Sequence, residues 1–261
     1  MIISKESEYD QKQIKVLELL WGKGFLSPGG TEEIDLIVNQ RNLENKTILD
    51  IGCGSGGALI YFSEKFNIKQ AIGIDIEPHV INQANLHKNN SKNPEKLDFE
   101  VVSPGKFNFG DESFDVIFSK DSFLHIENKE NLCRDIFRLL KPGGFLIASD
   151  WMRIDDNIPS HEMKEYIIAE GLSMQMCSLK RYFNALTESG FINIKIKDRN
   201  KWYTNLAKQE ILDLRGKLWV NLVKILGKNE ANKTIHIWEK MLGVLKSGEH
   251  RPGHFMADKP L

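Results

Sequence analysis

No apolar run in this chain approaches the ~20 residues needed to span a bilayer. The first residues, Met1 to Gln13, are polar and hold no long apolar core, so nothing there reads as a secretory leader. Cysteine is scarce. Cys53, Cys133 and Cys177 are odd in number, far apart and without metal-ligand spacing, which argues against a disulfide framework and fits a reduced, cytoplasmic setting. An excess of one charge is lacking too. Against 36 Asp and Glu stand 35 Lys and Arg, a net charge of −1, so the basic surplus of a nucleic-acid binder is absent. His236, His250 and His254 share no metal spacing with acidic partners, and no metal is assigned. There is no repeat and no low-complexity segment. What remains is 261 residues of ordinary globular composition, enough for one sizeable domain.

Taken in order, the chain predicts a helix over Tyr9 to Trp21, with Ile14, Leu17, Leu20 and Trp21 as its apolar stripe. Phe25-Leu-Ser-Pro-Gly-Gly30 is a loop, and a second helix starts at Thr31 as N-cap. Strands and helices then alternate: strands at Thr47–Ile51, Gln70–Ile76, Asp98–Val102, Phe114–Ser119 and Phe145–Asp150. Lys141-Pro-Gly-Gly144 is expected to stop the helix before the fifth strand. Such alternation implies right-handed crossovers and a parallel sheet with helices on both faces. Beyond it come helices at His161–Glu170 and Ser178–Ser189 and a strand at Phe191–Lys197. A long amphipathic helix is marked by Ile211, Leu214, Leu218, Leu222 and Ile225, and a further one by Ile235, Trp238, Met241 and Leu245. His254–Ala257 is a short last strand.

The chain is organised around Thr47-Ile-Leu-Asp-Ile-Gly-Cys-Gly-Ser-Gly-Gly57. An apolar strand ends in glycines at 52, 54 and 56, and a helix follows. Without a Cβ those glycines let a ligand approach the backbone, and the helix N-terminus offers unpaired N–H groups. Asp75 ends the second strand, 23 positions past Gly52, where a carboxylate can accept both hydroxyls of a ribose. Dinucleotide enzymes share that arrangement, so NAD chemistry stays open at this point. Asp50 speaks against it, because a carboxylate beside a pyrophosphate is repelled. It suits a ligand carrying an amino group and a sulfonium.

Asp50, the glycines, Phe114-Asp-Val-Ile-Phe-Ser119, Leu139-Leu-Lys-Pro-Gly-Gly144 and the final strand together resemble class I S-adenosylmethionine-dependent methyltransferases over about residues 45 to 150. The resemblance implies an α/β, Rossmann-like fold. It has a seven-stranded, mostly parallel sheet with one reversed strand, an N-terminal helical lid and a C-terminal helical cap. The division expected is a lid over residues 1–45 and a methyltransferase domain over 46–261, with the cap inserted at about 200–250. It further implies S-adenosylmethionine as cofactor, held by Tyr9, Ser27, Asp50, Gly52, Gly54, Gly56, Asp75, Ile76, Ser103 and Lys120.

Glu8-Tyr9, Phe25 to Gly30, Ser119-Lys-Asp-Ser-Phe-Leu-His125 and the helix around Tyr182 are similar to small-amine N-methyltransferases, the phosphoethanolamine and sarcosine/dimethylglycine groups. This narrower resemblance implies Tyr9 and His125 as gate and base over the amine, and Asp121 as its orienter. Trp151, Tyr166 and Tyr182 are expected either to line an aromatic pocket for a methylated ammonium or to be core under the cap. Departures exist: Glu170 and Leu172 stand where the phosphoethanolamine group has Arg and Tyr, Trp151 replaces a Tyr, and Ser103 replaces an adenine-binding Asp. The residues thus leave open whether the small polar acceptor is phosphoethanolamine. O- or C-methylation of a natural-product or lipid acceptor, and a catalytically silent cofactor-binding partner, remain alternatives. The oligomeric state stays open.

Overall fold

A computed structural model describes residues 10–105 and 107–261. Seven strands form one sheet: β1 (Thr47–Ile51), β2 (Gln70–Asp75), β3 (Leu97–Val101), β4 (Phe114–Lys120), β5 (Leu140–Asp150), β6 (Ile192–Asp198) and β7 (Gly253–Asp258). Their spatial order is β3-β2-β1-β4-β5-β7-β6. All pairings are parallel except those of β7, which runs antiparallel to both β5 and β6. The helices are α1 (Gln11–Trp21), α2 (Gly30–Val38), α3 (Gly57–Lys65), α4 (Pro78–Asn89), α5 (Lys129–Leu139), α6 (His161–Glu170), α7 (Leu179–Glu188), α8 (Asn200–Arg215), α9 (Trp219–Leu226) and α10 (Lys228–Ser247). None of them is long and apolar enough to cross a membrane.

The central strands β1 and β4 are buried almost throughout because both faces of the sheet are covered there, whereas the edge strand β6 alternates and is largely exposed. Ile48 faces a cluster built with α2, α3 and α4 through Ile37, Leu59, Phe62 and Ala84. Its neighbour Leu49 faces the other way, toward Leu132 and Ile136 of α5 and Leu186 of α7. A third cluster joins α1, α6 and the cap helices α8 to α10, which lie between β6 and β7 in sequence. The strand order reverses between β1 and β4, so the cleft opens beyond their carboxyl ends.

Four details differ from the sequence reading. The first helix starts at Gln11, because Asp10 caps it reciprocally with Gln13; Tyr9 lies outside the described residues. α2 starts at Gly30 behind a left-handed Gly29, not at a Thr31 cap. Leu140 to Gly144 belong to β5, since buried Leu140 pairs with Phe114 and the register then shifts before Val116. The long helix read through Leu218 and Ile225 is broken at Gly216 into α8 and α9.

Two buried polar knots bind the N-terminal helices to the rest. Glu33 of α2 accepts hydrogen bonds from Arg199 Nη2 and His254 Nε2, each at 2.6 Å, with no exposed surface of its own. Burial raises the Glu33 pKa, but these two donors more than offset it and hold it below the usual glutamate value. Glu210 of α8 accepts from the indoles of Trp21 (2.6 Å) and Trp238 (2.9 Å), joining α1, α8 and α10. Replacing this carboxylate by an amide removes its charge and one of its two accepting oxygens, leaving the Arg199 guanidinium without a counter-ion. Glu33→Gln should therefore cost about 3–5 kcal/mol in denaturant unfolding at neutral pH. The lowered pKa means this contribution is present above the ordinary glutamate range and is lost as pH falls through the folded value. A cost below about 1 kcal/mol at neutral pH would show the knot to be peripheral.

Candidate active site

The turn after β1 is shaped by contact as well as by conformation. Gly52 has φ +74°, and a Cβ there would fall 1.7 Å from Ser122 Oγ. Gly57 opens α3 with its N–H on Gly24 O (3.0 Å), where a Cβ would meet that oxygen at 2.6 Å. The lid loop is thereby held against the glycine turn. Between them lies a cavity of about 820 Å³, within the range of roughly 300–1,000 Å³ usual for small-molecule sites. Ser27, Asp50, Gly52, Gly54, Asp75, Ile76, Ser103, Lys120, Asp121 and His125 all line it. Gly56 sits just outside, as the left-handed N-cap of α3 against Phe99.

The charge of this cavity is its most informative property. Asp50 is 1% exposed, and its Oδ1 has no hydrogen-bond partner. Burial, reinforced by the negative charge of Asp75, pushes its carboxyl well above the usual carboxylate range. Asp75 is raised as well, chiefly by burial, although the N–H groups of Gly54 and Glu77, both at 3.1 Å, pull the other way. Each oxygen of Asp75 takes one backbone donor and keeps further acceptor capacity. Beside them Ile76 stays 48% exposed, an apolar ledge on the cavity wall. A ligand with a cationic amino group, ribose hydroxyls and a flat apolar base matches these three residues in turn. Burial also lifts the Cys53 thiol, leaving it inert.

At the far wall four segments meet. Lys120 Nζ donates to Ser27 Oγ (2.7 Å), Pro28 O (2.8 Å) and Asp121 Oδ2 (2.8 Å). Its three protons are thus committed to protein, which makes Lys120 a strut fixing Ser27 and Asp121. Asp121 takes φ +53° and accepts from Ser149 Oγ (2.9 Å) and Tyr203 OH (3.3 Å). His125 ends a single 3₁₀ turn over Phe123–His125. Its Nδ1 lies 2.8 Å from the carbonyl oxygen of Ser173, which can only accept. Nδ1 therefore donates to that oxygen, which fixes the ring's orientation.

Behind that turn Asp150 closes β5 without any exposed surface. It accepts from Leu124 N (3.0 Å) and from Tyr182 OH (2.5 Å). Tyr182 corrects a sequence expectation. It is fully buried, stacks on Phe255 at 4.7 Å and belongs to the core on the α5–α7 face, so it supports the 3₁₀ turn from behind and does not line the cavity. Trp151 and Tyr166 are brought together instead in the cap cluster, around His250. The sequence reading missed Tyr203, Ser149 and Asp150. Asp150 carried a signal, a carboxylate at the carboxyl end of a buried strand. Tyr203 carried none, because its partner lies 82 residues away.

Burial pushes the Asp150 carboxyl up to about 7, against the pull of Lys129 and the Tyr182 hydroxyl. A raised acid pKa means the folded state holds the proton more tightly than the unfolded chain. That stabilisation is whole below the ordinary aspartate value and disappears as pH rises through about 7. Unfolding temperature should therefore fall between about pH 4 and 7 and level off above, and fall less in Asp150→Asn, which keeps an acceptor for Leu124 N. Parallel profiles for the two proteins in a thermal melt series would show that Asp150 is ionised throughout.

The sequence family described as a methyltransferase domain matches residues 42–227. Among curated proteins, phosphoethanolamine N-methyltransferase 1 of Arabidopsis thaliana is 33% identical over 253 residues, covering 97% of this chain and 50% of that protein. The chain spans about half the length of that relative. Phosphoethanolamine N-methyltransferase of Plasmodium falciparum is 29% identical, covering 98% of this chain and 94% of its own. Among solved structures, phosphoethanolamine N-methyltransferase 2 of Haemonchus contortus, in complex with phosphomonomethylethanolamine and S-adenosylhomocysteine, superposes with a TM-score of 0.89 at 23% identity. That alignment covers 98% of this chain and 59% of the other. The match to the domain takes in well over half of the residues, including the glycine turn, Asp75 and the Asp121–His125 wall, and the chain belongs to the methyltransferase-domain family.

Proposed function

We propose that this chain transfers the methyl group of S-adenosylmethionine to the nitrogen of a small amine. The observation that carries the reading is Asp50: a buried carboxylate with an orphaned oxygen, beside a second carboxylate, in a cavity large enough for a nucleoside. A buried acid raised in this way ionises readily only beside a cation, and S-adenosylmethionine presents an ammonium and a sulfonium. The relatives named above are amine N-methyltransferases, which supports nitrogen as the acceptor atom.

In this reading Asp50 takes the cofactor's ammonium, Ser27 and the glycine turn its carboxylate, and Asp75 its ribose hydroxyls. Ile76 and Ser103 flank its base. When bound, the cofactor supplies a methyl group on a sulfonium, open to in-line displacement by an amine lone pair. Asp121 orients the amine, its own carboxylate held still by Lys120, Ser149 and Tyr203. The proton lost by the nitrogen passes to Nε2 of His125, whose ring the Ser173 carbonyl orients. Tyr9, which precedes the N-cap of α1, serves as gate, with the segment over residues 1–45 acting as a lid. Positioning and exclusion of water supply most of the acceleration.

Calorimetry with S-adenosylmethionine, followed by S-adenosylhomocysteine release over a panel of small amines, tests the proposal; binding of NAD without binding of S-adenosylmethionine would overturn it. Asp75→Ala should weaken cofactor binding by about 1.5–3 kcal/mol, the value of a charge-assisted hydrogen bond. His125→Ala should lower kcat by about 10²–10⁴ while leaving cofactor affinity nearly unchanged. An undiminished rate at every pH would remove His125 as the base.

A further inference from the structure

The 3₁₀ turn that carries His125 is a small element with little of its own to hold it in place. Its backbone supplies hydrogen bonds from His125 N to Ser122 O (3.1 Å) and from Ile126 N to Phe123 O (2.9 Å). Hydrogen-bond geometry in such turns is poor, and runs of them stay short. Further groups close on this one from behind. Gln175 N donates to Leu124 O (2.6 Å). Asp150, at the end of β5, accepts from Leu124 N (3.0 Å). Lys129, the first residue of α5, turns inward and donates to the carbonyl oxygens of Phe123 (2.6 Å) and Ile126, one on each side of His125.

Lys129 has no exposed surface, and neither has Asp150. Tyr182 joins them: its hydroxyl donates to Asp150 (2.5 Å), and its ring centre lies 5.8 Å from the Lys129 ammonium. Burial lowers the Lys129 pKa and raises that of Asp150, and the charge of each resists the change in the other. An ammonium is a costly donor to bury, because it gives up its hydration, and a neutral donor would match a carbonyl with less loss. What the charge adds is stronger and shorter bonds, made by a single atom to both ends of one turn. His125 and Ile126 line the cavity, whereas Lys129, Asp150 and Tyr182 are buried behind them. Lys129 and Asp150 therefore meet the backbone that aims the His125 ring and not a ligand. The contact of Nδ1 with Ser173 O (2.8 Å) then sets the rotation of that ring.

We infer that Lys129 and Asp150 are positioning residues for methyl transfer, clamping the turn so that the His125 ring meets the acceptor nitrogen. This rests on the reading of His125 as the base. The test follows S-adenosylhomocysteine release by the full chain with phosphoethanolamine, ethanolamine and sarcosine, taking the amine turned over fastest. Cofactor affinity is measured separately. Lys129→Met keeps the length of the side chain and removes its N–H groups. It should lower kcat about ten- to a hundredfold, with KM and cofactor affinity within about twofold, because a misplaced ring costs rate and not binding. Asp150→Ala should lower kcat about tenfold, and Asp150→Asn, which keeps an acceptor for Leu124 N, should recover most of that loss. The double variant decides. In a His125→Ala background, Lys129→Met should change kcat by less than about twofold, since a support acts only through what it supports. A further loss of about tenfold there, or a kcat within about twofold of wild type in Lys129→Met alone, overturns the inference and leaves the base reading intact. Should Lys129→Met fail to fold, Asp150→Ala in the same background decides by the same comparison. An undiminished rate in His125→Ala, or no transfer to any of these amines, overturns the base reading and this inference together.

Discussion

The ammonium of Lys120 has three protons, and three oxygens from separate parts of the site take them all. That one cation sets the distance between the lid loop and the sheet edge. Without it, Ser27 and Pro28 would have no fixed relation to Asp121, and Asp121 would stand as a buried charge beside Ser149 and Tyr203. The arrangement is costly to assemble, since Lys120 and Asp121 are both nearly excluded from water. It persists because all three protons of Lys120 and both oxygens of Asp121 find partners. The left-handed backbone of Asp121 is a further small strain, tolerated by a residue type that visits that region more readily than most.

The two glutamate knots extend the same logic outward. Glu33 ties α2 to β7 and to the residue before α8, and Glu210 ties α1 to α8 and α10. Both join the N-terminal helices to the segment between β6 and β7, elements that are far apart in sequence. Their titration runs in opposite directions. Glu33, accepting from the Arg199 guanidinium and the His254 ring, is held below the usual glutamate value. Glu210 meets only neutral indoles, and burial pushes it up to about 7. The α1–α8–α10 contact is therefore the one that weakens as pH rises from the ordinary glutamate range to about 7, whereas the α2–β7 contact weakens only in acid.

What was legible in the sequence follows from range. The β1 turn, Asp75 and the Phe114–Ser119 strand are local patterns in which apolar periodicity, glycine and carboxylate all fall within a few residues of one another. The sheet and its reversed last strand follow from them, and so do most residues of the cavity wall. Boundaries set by capping were misread by one or two residues, as at Asp10 and Gly29, because several polar residues compete for the same cap. The β5 start was misread for another reason: Leu140 pairs with Phe114 before a register shift, a tertiary event that local turn chemistry cannot announce. Tyr182 shows the same limit. An aromatic residue on an amphipathic helix has a readable buried face but not a readable neighbour, and here the neighbour is Asp150 rather than a substrate.

A single tension runs through the site. Asp50 Oδ1, Trp151 Nε1 and both nitrogens of His250 are buried without partners, and the acids at 50 and 75 crowd one another. Each of these features lowers the stability of the protein by itself; the acids at 50 and 75 line the cavity, whereas Trp151 and His250 meet in the core cluster beneath α6, α8 and α10. A chain shaped only for stability would have filled those positions with apolar groups or matched pairs. The surrounding knots supply the rigidity that lets the unmatched groups persist, and any ligand that matches them stabilises the fold by the free energy of that match. Where the unmatched atom faces the cavity, as at Asp50, the cost to the protein alone is what a matching ligand recovers.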